Sequence, residues 1–458
     1  MEGPWSSTHV SLVLPLLVLL LLGPARQAAA QRCPQACICD NSRRHVACWH
    51  QNLTEVPDAI PELTQRLNLQ GNLLKVLPAA AFQGLPHLTH LDLRHCQVEL
   101  VAEGAFRGLG RLLLLNLASN HLRELPQEAL DGLGRLLLLN LASNHLRELP
   151  QEALDGLGEL EAGALAGLGR LIYLYLSDNQ LAGLSAAALA GVPRLGYLYL
   201  ERNRFLQVPG AALRALPSLF SLHLQDNAVD RLAPGDLGGT RALRWLYLSG
   251  NRITEVPPGA LGPARELEKL HLDRNQLREV PTGALEGLPA LLELQLSGNP
   301  LRALHDGAFQ PVSRSLQHLF LNSSGLEQIS PGAFSGLGPG LQSLHLQKNQ
   351  LRALPALPRL SQLELIDLSS NPFHCDCQLL PLHRWLTGLN LRVGATCATP
   401  PSARGQRVKA AAAVFEACPG WSARKAKRTP ASRSSTRKTS IKGRQRGADK
   451  VGKERGRL

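Results

Sequence analysis

The amino-acid sequence predicts a curved repeat solenoid of the α/β type, with a parallel β-sheet along its concave face and a disulfide-bonded cap at each end. Three observations support this fold class. A nine-residue pattern, L-x-x-L-x-L-x-x-N, recurs thirteen times, most copies follow at intervals of 24 residues, and four cysteines lie on either side of the array. A period of about 20–29 residues with this consensus is that of a leucine-rich repeat, which predicts a horseshoe.

Within each copy, L-x-x-L-x-L predicts a short strand whose alternate leucines point inward. The closing asparagine both donates and accepts hydrogen bonds, so stacked copies can satisfy backbone groups that leave the sheet. The closing residues are Asn72, Cys96, Asn120, Asn144, Asn179, Asn203, Asn227, Asn251, Asn275, Asn299, Ser324, Asn349 and Asn371. Cys96 and Ser324 replace asparagine and predict a locally weaker ladder. No repeat has a core of its own, so stability must come from contacts between neighbours.

The chain divides into five segments. An apolar run at 11–22, followed by small residues, predicts a signal peptide over 1–30 that is cleaved before Gln31. An N-terminal cap (31–63), the repeat array (64–372), a C-terminal cap (373–420) and a basic tail (421–458) follow. No second apolar stretch approaches the roughly 20 residues that span a bilayer. We therefore expect a secreted, soluble protein.

Nine cysteines suit an oxidising compartment. The caps contain Cys33, Cys37, Cys39 and Cys48 at one end and Cys375, Cys377, Cys397 and Cys418 at the other. Four cysteines allow three pairings, so spacing alone leaves the connectivity open. Zinc binding is the competing interpretation, and secretion together with the terminal placement argues against it. Cys96 is left over, and as a ladder residue it is predicted to be buried and inert.

The Cys-x3-Cys-x-Cys-x8-Cys N-terminal cap, the 24-residue repeats and the Cys-x-Cys…Cys…Cys C-terminal cap resemble the chondroadherin family of small leucine-rich matrix proteins. The resemblance extends over about residues 33–418 and continues into the basic tail. It implies the pairs Cys33–Cys39, Cys37–Cys48, Cys375–Cys397 and Cys377–Cys418, with a nested pairing as the alternative in the C-terminal cap. It also implies an extracellular matrix component that binds collagen and influences fibril assembly or cell attachment.

One departure concerns the number of arrays, because relatives with two capped arrays exist in this family and this chain has one. Residues 108–134 recur unchanged at 132–158, and a step of 35 residues between closing asparagines follows at once. We interpret the irregular junction at 158–170 as a join between the front of one array and the back of another. An isoform, a genomic deletion or a gene-model error would each produce it. The 11 extra residues are expected to bulge outward or to disturb stacking.

The variable strand positions face the hollow of the solenoid, and all five tyrosines of the chain fall there. Tyrosine and tryptophan combine a large contact area with a polar group and dominate interface hot spots. We predict a protein-binding face formed by Tyr173, Tyr175, Tyr197, Tyr199, Phe220, His223, Trp245, Tyr247 and His271. The alternative is that aromatic residues merely suit strands. Flanking residues of both charges favour a protein ligand over a purely anionic one.

The front repeats instead place leucines at the corresponding positions, namely Leu113, Leu114, Leu137 and Leu138. A solvent-exposed apolar patch tends to mark a contact. A partner, a dimer interface or an artefact of the join would each account for it.

The tail at 422–458 contains 14 lysines and arginines against two acids, and this accounts for almost all of the formal charge of +13. Its composition predicts disorder. Outside cells the expected polyanion is a sulfated glycosaminoglycan, and the candidate residues are Arg424, Lys425, Lys427, Arg428, Arg437 and Lys438. Nucleic-acid binding is disfavoured by the signal peptide, while proprotein processing at 425–428 and a merely solvated tail remain open.

Two sequons, beginning at Asn52 and Asn322, permit N-glycans, and Asn322 is expected to project toward the concave face. The sequence shows no metal-ligand motif, nucleophile elbow or phosphate loop, so we predict neither an enzyme nor a cofactor. It predicts a secreted matrix protein that binds fibrillar collagen through its concave face and sulfated glycosaminoglycans through its tail, without nucleic acid or membrane insertion. The alternatives are a cell-adhesion ligand for integrin or syndecan receptors and a soluble ligand or decoy for a growth factor or receptor.

Overall fold

The computed structural model describes residues 33–147, 163, 165–338, 340–355, 357, 360 and 362–421. The predicted signal peptide, residues 158–162 and 164 of the irregular junction, and the tail at 422–458 lie outside the described residues.

Each of the thirteen leucine patterns forms one strand of a single parallel sheet. If the pattern is numbered 1 to 9 from its first leucine to its closing asparagine, the strand occupies positions 3 to 5. All strands of the protein are numbered in chain order, and the numbers skipped here belong to strands described in the next paragraph. The thirteen repeat strands are β3 (Arg66–Asn68), β5 (His90–Asp92), β7 (Leu114–Asn116), β8 (Leu138–Asn140), β9 (Tyr173–Tyr175), β10 (Tyr197–Tyr199), β11 (Ser221–His223), β12 (Trp245–Tyr247), β13 (Lys269–His271), β14 (Glu293–Gln295), β16 (His318–Phe320), β18 (Ser343–His345) and β19 (Leu365–Asp367). The predicted leucine-rich repeat horseshoe is confirmed.

The N-terminal cap extends this sheet to 15 strands. Strand β2 (His45–Ala47) pairs in parallel with β3, and β1 (Ile38–Asp40) pairs with β2 in the antiparallel direction. Three further sheets have two strands each: β4 (Val76–Leu77) with β6 (Leu100–Val101), β15 (Ala303–Leu304) with β17 (Gln328–Ile329), and β20 (Phe373–His374) with β21 (Cys397–Thr399).

The segments that return the chain between strands contain turns and short helices. The α-helices are α1 (Gly210–Leu213), α2 (Thr282–Leu285), α3 (Leu380–Gly388) and α4 (Ala412–Phe415). The 3-10 helices are Gln127–Leu130, Ala187–Leu189, Gln310–Val312, Cys377–Leu379, Pro401–Ala403 and Val408–Ala410. A 24-residue unit leaves little length for a longer helix, so the unit remains narrow and its neighbours stack closely.

The core is formed by the leucines at positions 4 and 6 of each strand unit. Leu174 and Leu176 are both fully buried, as are their equivalents in the adjacent repeats. Burying such a side chain stabilises the fold by about 1.5–3 kcal/mol. The alternation places positions 3 and 5 on the opposite, concave side of the sheet, where the predicted binding residues lie.

The closing asparagines form the predicted hydrogen-bonded ladder. Nδ2 of Asn251 donates to the carbonyl oxygens of Leu224 (2.9 Å) and Leu248 (3.0 Å), while its Oδ1 accepts from the backbone N–H of Val229 (3.0 Å). Cys96 and Ser324 carry one polar side-chain atom instead of two. Their donor atoms lie 3.1 Å and 3.4 Å from carbonyl oxygens of the preceding repeat.

Position 8 of the repeat has a left-handed backbone that turns the chain out of the sheet. Gly250 occupies it with φ of 69°, a conformation that glycine adopts without strain. Asp178, Arg202, Asp226 and Arg274 adopt φ of 54–55° at the equivalent position. The turn therefore presents charged side chains along one rim of the concave face.

The sheet is continuous across the 35-residue step. β8 pairs with β9 over three residues, with Leu138 opposite Tyr173. Asn179 bridges the same gap through the backbone N–H of Leu146 and the carbonyl of Leu141, both at 3.0 Å. The expectation of disturbed stacking is therefore wrong for the sheet and its ladder, since both bridge the step in register. The path of the extra residues falls largely outside the described part of the chain.

Disulfides close both caps. The bonded pairs are Cys33–Cys39, Cys37–Cys48, Cys375–Cys397 and Cys377–Cys418, which are those that the family resemblance implies. No thiolate of these caps is left to bind zinc. Cys96 is unpaired and fully buried, and this burial raises the pKa of its thiol. Among the described residues, no helix is both long and apolar enough to cross a membrane.

Candidate functional site

The middle of the concave face contains a continuous row of contacting rings at position 5, here called the aromatic ladder: Tyr175, Tyr199, His223, Tyr247 and His271. Successive ring centroids are 4.3, 4.3, 4.4 and 4.6 Å apart; the first three pairs are stacked, and His271 meets Tyr247 edge to face. Parallel pairing places equal positions of neighbouring repeats opposite each other, one strand spacing of about 4.8 Å apart. The sheet register is therefore what stacks the rings.

A second row of rings runs beside the ladder at position 3. Tyr173 stacks on Tyr197 with centroids 4.6 Å apart. In β11 this position holds Ser221, and the row continues instead through Phe220 at position 2, which lies 5.5 Å from Tyr197 and 4.8 Å from Trp245. The small serine thus leaves the space that the phenylalanine ring occupies.

These rings are partly buried by one another. Each aromatic pair adds about 0.5–1.5 kcal/mol beyond its buried area. All nine residues predicted for the binding face lie on this one surface, in five consecutive strand units. Strand preference accounts for aromatic residues in individual strands, but it gives no reason for two unbroken rows.

The ladder is electrically neutral at its centre. Nε2 of His223 lies 2.8 Å from Oγ of Ser221, and its Nδ1 lies 3.3 Å from Nε2 of Gln225. Because the amide nitrogen of Gln225 can only donate, Nδ1 accepts and Nε2 carries the proton. Burial, and then the nearby His271, lower the pKa of His223 to about 4. Burial raises the pKa of Tyr199 and of Tyr247.

The C-terminal end of the ladder is ionic. Nε2 of His271 lies 2.9 Å from Oε1 of Glu293, and Nζ of Lys269 lies 3.2 Å from Oε2 of the same carboxylate. The hydrogen bond with His271 is the main reason that the pKa of Glu293 falls to about 2. Lys269 also lies over the ring of Trp245, with 5.7 Å from Nζ to the centroid.

The rim at positions 7 and 8 carries both charges. Nη2 of Arg202 lies 2.7 Å from Oδ2 of Asp178, and Arg274 lies 3.4 Å from each of Asp226 and Asp273. Between this rim and the ladder lies a depression of about 440 Å³, here called the rim pocket, lined by Glu201, Arg202, Gln225, Asp226, Tyr247, Ser249, His271, Asp273, Arg274 and Gln295. Two larger depressions, of about 540 and 1050 Å³, lie away from the ladder. The first is lined by residues 254–256 and 277–283 and by residues between 303 and 308, and the second by 327–331, 350, 352–355, 372 and 378.

Three buried polar atoms on this surface have no hydrogen-bond partner among the described residues: Nε1 of Trp245, Oε2 of Glu201 and Oε1 of Gln225. A fourth, Oε1 of Gln347, occupies position 7 further along the array. Leaving such a group unpaired costs about 1–3 kcal/mol, so partners for it are favoured. The sequence did not indicate that Glu201 and Gln225 hold unpaired acceptor atoms. Position 7 is variable, and only the fold shows which of its polar atoms lack a hydrogen-bond partner.

The leucines of the front repeats, which were expected to form a solvent-exposed apolar patch, are partly exposed. Leu114 and Leu138 lie in register with Tyr173, so their side chains extend the second row toward the N-terminus.

The remaining predicted residues lie apart from the ladder. Oδ1 of Asn322 accepts a hydrogen bond from Oγ of Ser297 (2.6 Å) on the concave side, and Asn52 is exposed beside the N-terminal cap. The six glycosaminoglycan candidates, Arg424 to Lys438, lie outside the described residues. Within the described part, no group of three or more His, Cys, Asp or Glu residues could hold a metal ion.

The fold and the bonded cysteines define a disulfide-capped leucine-rich repeat protein. The leucine-rich repeat family matches residues 61–122, 111–162, 155–205, 193–253, 265–314 and 314–373. Human chondroadherin-like protein is 55% identical over an alignment of 762 positions that covers 100% of both chains. The chain therefore belongs to the chondroadherin-like leucine-rich repeat proteins.

Two further comparisons place the chain more broadly. Human chondroadherin is 41% identical over 101 residues, which are 22% of this chain and 28% of that protein. The solved structure of a leucine-rich repeat protein of Leptospira interrogans is 27% identical, with a TM-score of 0.61, and the match covers 72% of this chain and 78% of that one. The chondroadherin relatives and the four disulfides indicate an extracellular protein.

The 762-position alignment is much longer than the 458 residues of this chain, so a large share of it is a gap here. The interpretation of one fused array stays a prediction, and this difference in length agrees with it.

Proposed function

We propose that this protein is a component of the extracellular matrix that binds fibrillar collagen through the aromatic ladder and the second row. By occupying the fibril surface it modulates fibril assembly. The basic tail binds sulfated glycosaminoglycans through Arg424, Lys425, Lys427, Arg428, Arg437 and Lys438. The observation that carries the proposal is the pair of unbroken ring rows along the concave face.

The chemistry of the concave face fits a proline-rich extended chain. Collagen chains adopt polyproline II geometry, and their backbone makes no hydrogen bonds within a chain. Proline-rich segments dock in aromatic-lined grooves, where the rings pack against pyrrolidine. Tyr175, Tyr199 and Tyr247 add hydroxyl donors to this face, and burial raises the pKa of Tyr199 and of Tyr247 further above neutral pH. A surface rich in donors suits a ligand rich in free carbonyl oxygens.

The tail provides a different kind of interaction. Its 14 basic residues against two acids give a charge density that a sulfated polysaccharide neutralises. Such binding weakens steeply with salt, whereas burial of rings against proline does not. The two activities are therefore separable by ionic strength.

The test is binding of the secreted protein to immobilised fibrillar collagen and to heparin over a salt series. The full chain is compared with a chain that ends at Trp421 and with the double variant Tyr197→Ala/Tyr199→Ala. A matched control is Phe320→Ala/His345→Ala, which removes an equally close stack, 4.3 Å between centroids, at the C-terminal end of the concave face.

We expect collagen binding to survive removal of the tail and to change little with the control. It should fall about tenfold or more with the tyrosine variant, because two hot-spot rings are lost. Heparin binding should require the tail and fall with salt. If the tail alone accounts for both ligands, the concave face is not the collagen site and the proposal fails.

A further inference from the structure

The rim pocket contains two fixed acceptor atoms on neighbouring repeats. Oε2 of Glu201 and Oε1 of Gln225 are buried, and neither has a hydrogen-bond partner among the described residues. Both residues occupy position 7, two residues beyond the ends of β10 and β11, where the backbones of neighbouring repeats lie about one strand spacing of 4.8 Å apart. One donor group with several N–H bonds can reach two acceptors at that separation.

The orientation of the Gln225 amide is set by the ladder. Its Nε2 donates to Nδ1 of His223 (3.3 Å), and His223 is held in turn by Oγ of Ser221 (2.8 Å). The carbonyl end of the amide therefore faces away from the imidazole. This makes Oε1 a positioned acceptor and not a freely rotating one.

The charges around the rim pocket leave an excess of acid. Three carboxylates, those of Glu201, Asp226 and Asp273, line the pocket against two guanidinium groups, those of Arg202 and Arg274. Both arginines are already engaged, Arg202 with Asp178 and Arg274 with Asp226 and Asp273. Among the ion pairs of the described residues, none includes Glu201.

We infer that the rim pocket binds one arginine or lysine side chain of the collagenous partner, which fixes where along that partner the ladder docks. The inference rests on the proposed function and deepens it. The cationic head of the side chain donates to Glu201 and Gln225, and arginine suits the pair best because it presents several donors in a rigid fork and no acceptor. Its aliphatic stem lies against the ring of Tyr247, as long basic side chains commonly do.

A metal ion is a poorer occupant of the rim pocket. The described residues contain no group of three or more His, Cys, Asp or Glu side chains arranged to hold one. A side-chain cation needs only hydrogen-bond acceptors on one side, which is what Glu201 and Gln225 supply. It also brings its own chain alongside the ladder, where the rings pack.

The experiment measures binding of the full secreted chain to three synthetic triple-helical peptides. The host consists of glycine–proline–hydroxyproline triplets, one guest has a central glycine–proline–arginine triplet, and a neutral guest has glycine–proline–glutamine instead. Binding is measured to the wild-type chain, to Glu201→Gln, and to Asp178→Asn as the matched control. The control removes one rim charge of a residue that is already in an ion pair.

The arginine guest is expected to bind the wild-type chain about tenfold more tightly than the glutamine guest, which corresponds to one charge-assisted hydrogen-bonded contact. Glu201→Gln should abolish that gain and leave affinity for the host unchanged, while Asp178→Asn should retain it. Host binding without an arginine gain, or a gain that survives Glu201→Gln, overturns the inference and leaves the proposed function standing. Failure of all three peptides to bind overturns the proposed function itself.

Discussion

Replacing one ladder asparagine should destabilise the solenoid through a cost that can be worked out bond by bond. In the wild-type chain the backbone N–H of Val229 donates to Oδ1 of Asn251 at 3.0 Å, and Asn251→Ala removes this acceptor. The carbonyls of Leu224 and Leu248 each lose one donor but keep a second, from the asparagine of a neighbouring repeat. A buried donor left unpaired costs about 1–3 kcal/mol, and each weakened carbonyl adds less. We expect a total loss of about 2–4 kcal/mol.

The assay is urea unfolding of the secreted chain together with hydrogen exchange followed by mass spectrometry. In a repeat array each unit contacts only its neighbours, so the exchange should accelerate first in the peptide that contains Val229. Ser324→Ala is the matched control at the same ladder position. Its hydroxyl makes only long bonds, 3.3 and 3.4 Å, so it should cost less than about 1 kcal/mol. Equal losses for the two variants would mean that the hydrogen bonds of Asn251 do not set the free-energy cost.

Three further predictions concern pH and the caps. The pKa of His223 is lowered to about 4, so on acidification this histidine takes up its proton in the unfolded chain before it does so in the folded chain. The free energy of unfolding therefore falls as pH drops from 6.5 to 4. His223→Tyr, which continues the ladder, should remove up to about 3 kcal/mol of that fall, as measured by urea titrations at several pH values. The pKa of Glu293 is lowered to about 2, so its contribution is present above pH 4.5 and lost toward pH 2, and Glu293→Gln should flatten that acid limb by roughly 1–2 kcal/mol; an unchanged limb contradicts this. Cys377→Ser/Cys418→Ser opens a loop of 41 residues and should cost about 2–5 kcal/mol in thermal unfolding, with a smaller loss arguing that the C-terminal cap holds by packing alone.

The repeat strands were predictable because the hydrophobic period recurs in every unit and asparagine closes eleven of the thirteen, so each copy supports the interpretation of the others. The N-terminal cap has no such repetition. Its strand β2 and the antiparallel β1 follow from how the cap packs on the first repeat, which a short stretch of sequence does not reveal. The continuity of the sheet across the 35-residue step was not predictable for the same reason, because β8 and β9 pair through contacts between residues that are distant in the sequence.

The binding face was predictable in composition but not in arrangement. Counting tyrosines at variable strand positions located the aromatic ladder, since parallel register must bring equal positions together. The shift of the second row from position 3 to Phe220 depends on the small Ser221, and the orientation of Gln225 depends on a bond to His223. Both are side-chain arrangements between neighbouring units, for which the sequence gives no periodic signal.

Hydroxyl-radical footprinting measures at single residues whether the rings of the concave face contact collagen. All five tyrosines of the chain lie on this face, so oxidation of tyrosine reports on it alone, and Trp49 of the N-terminal cap, 49% exposed, serves as an internal reference. Addition of a triple-helical glycine–proline–hydroxyproline peptide to the secreted chain should protect Tyr173, Tyr199 and Trp245 and leave the oxidation of Trp49 unchanged. Unchanged oxidation of the tyrosines while the peptide is bound would mean that collagen binds elsewhere on the chain.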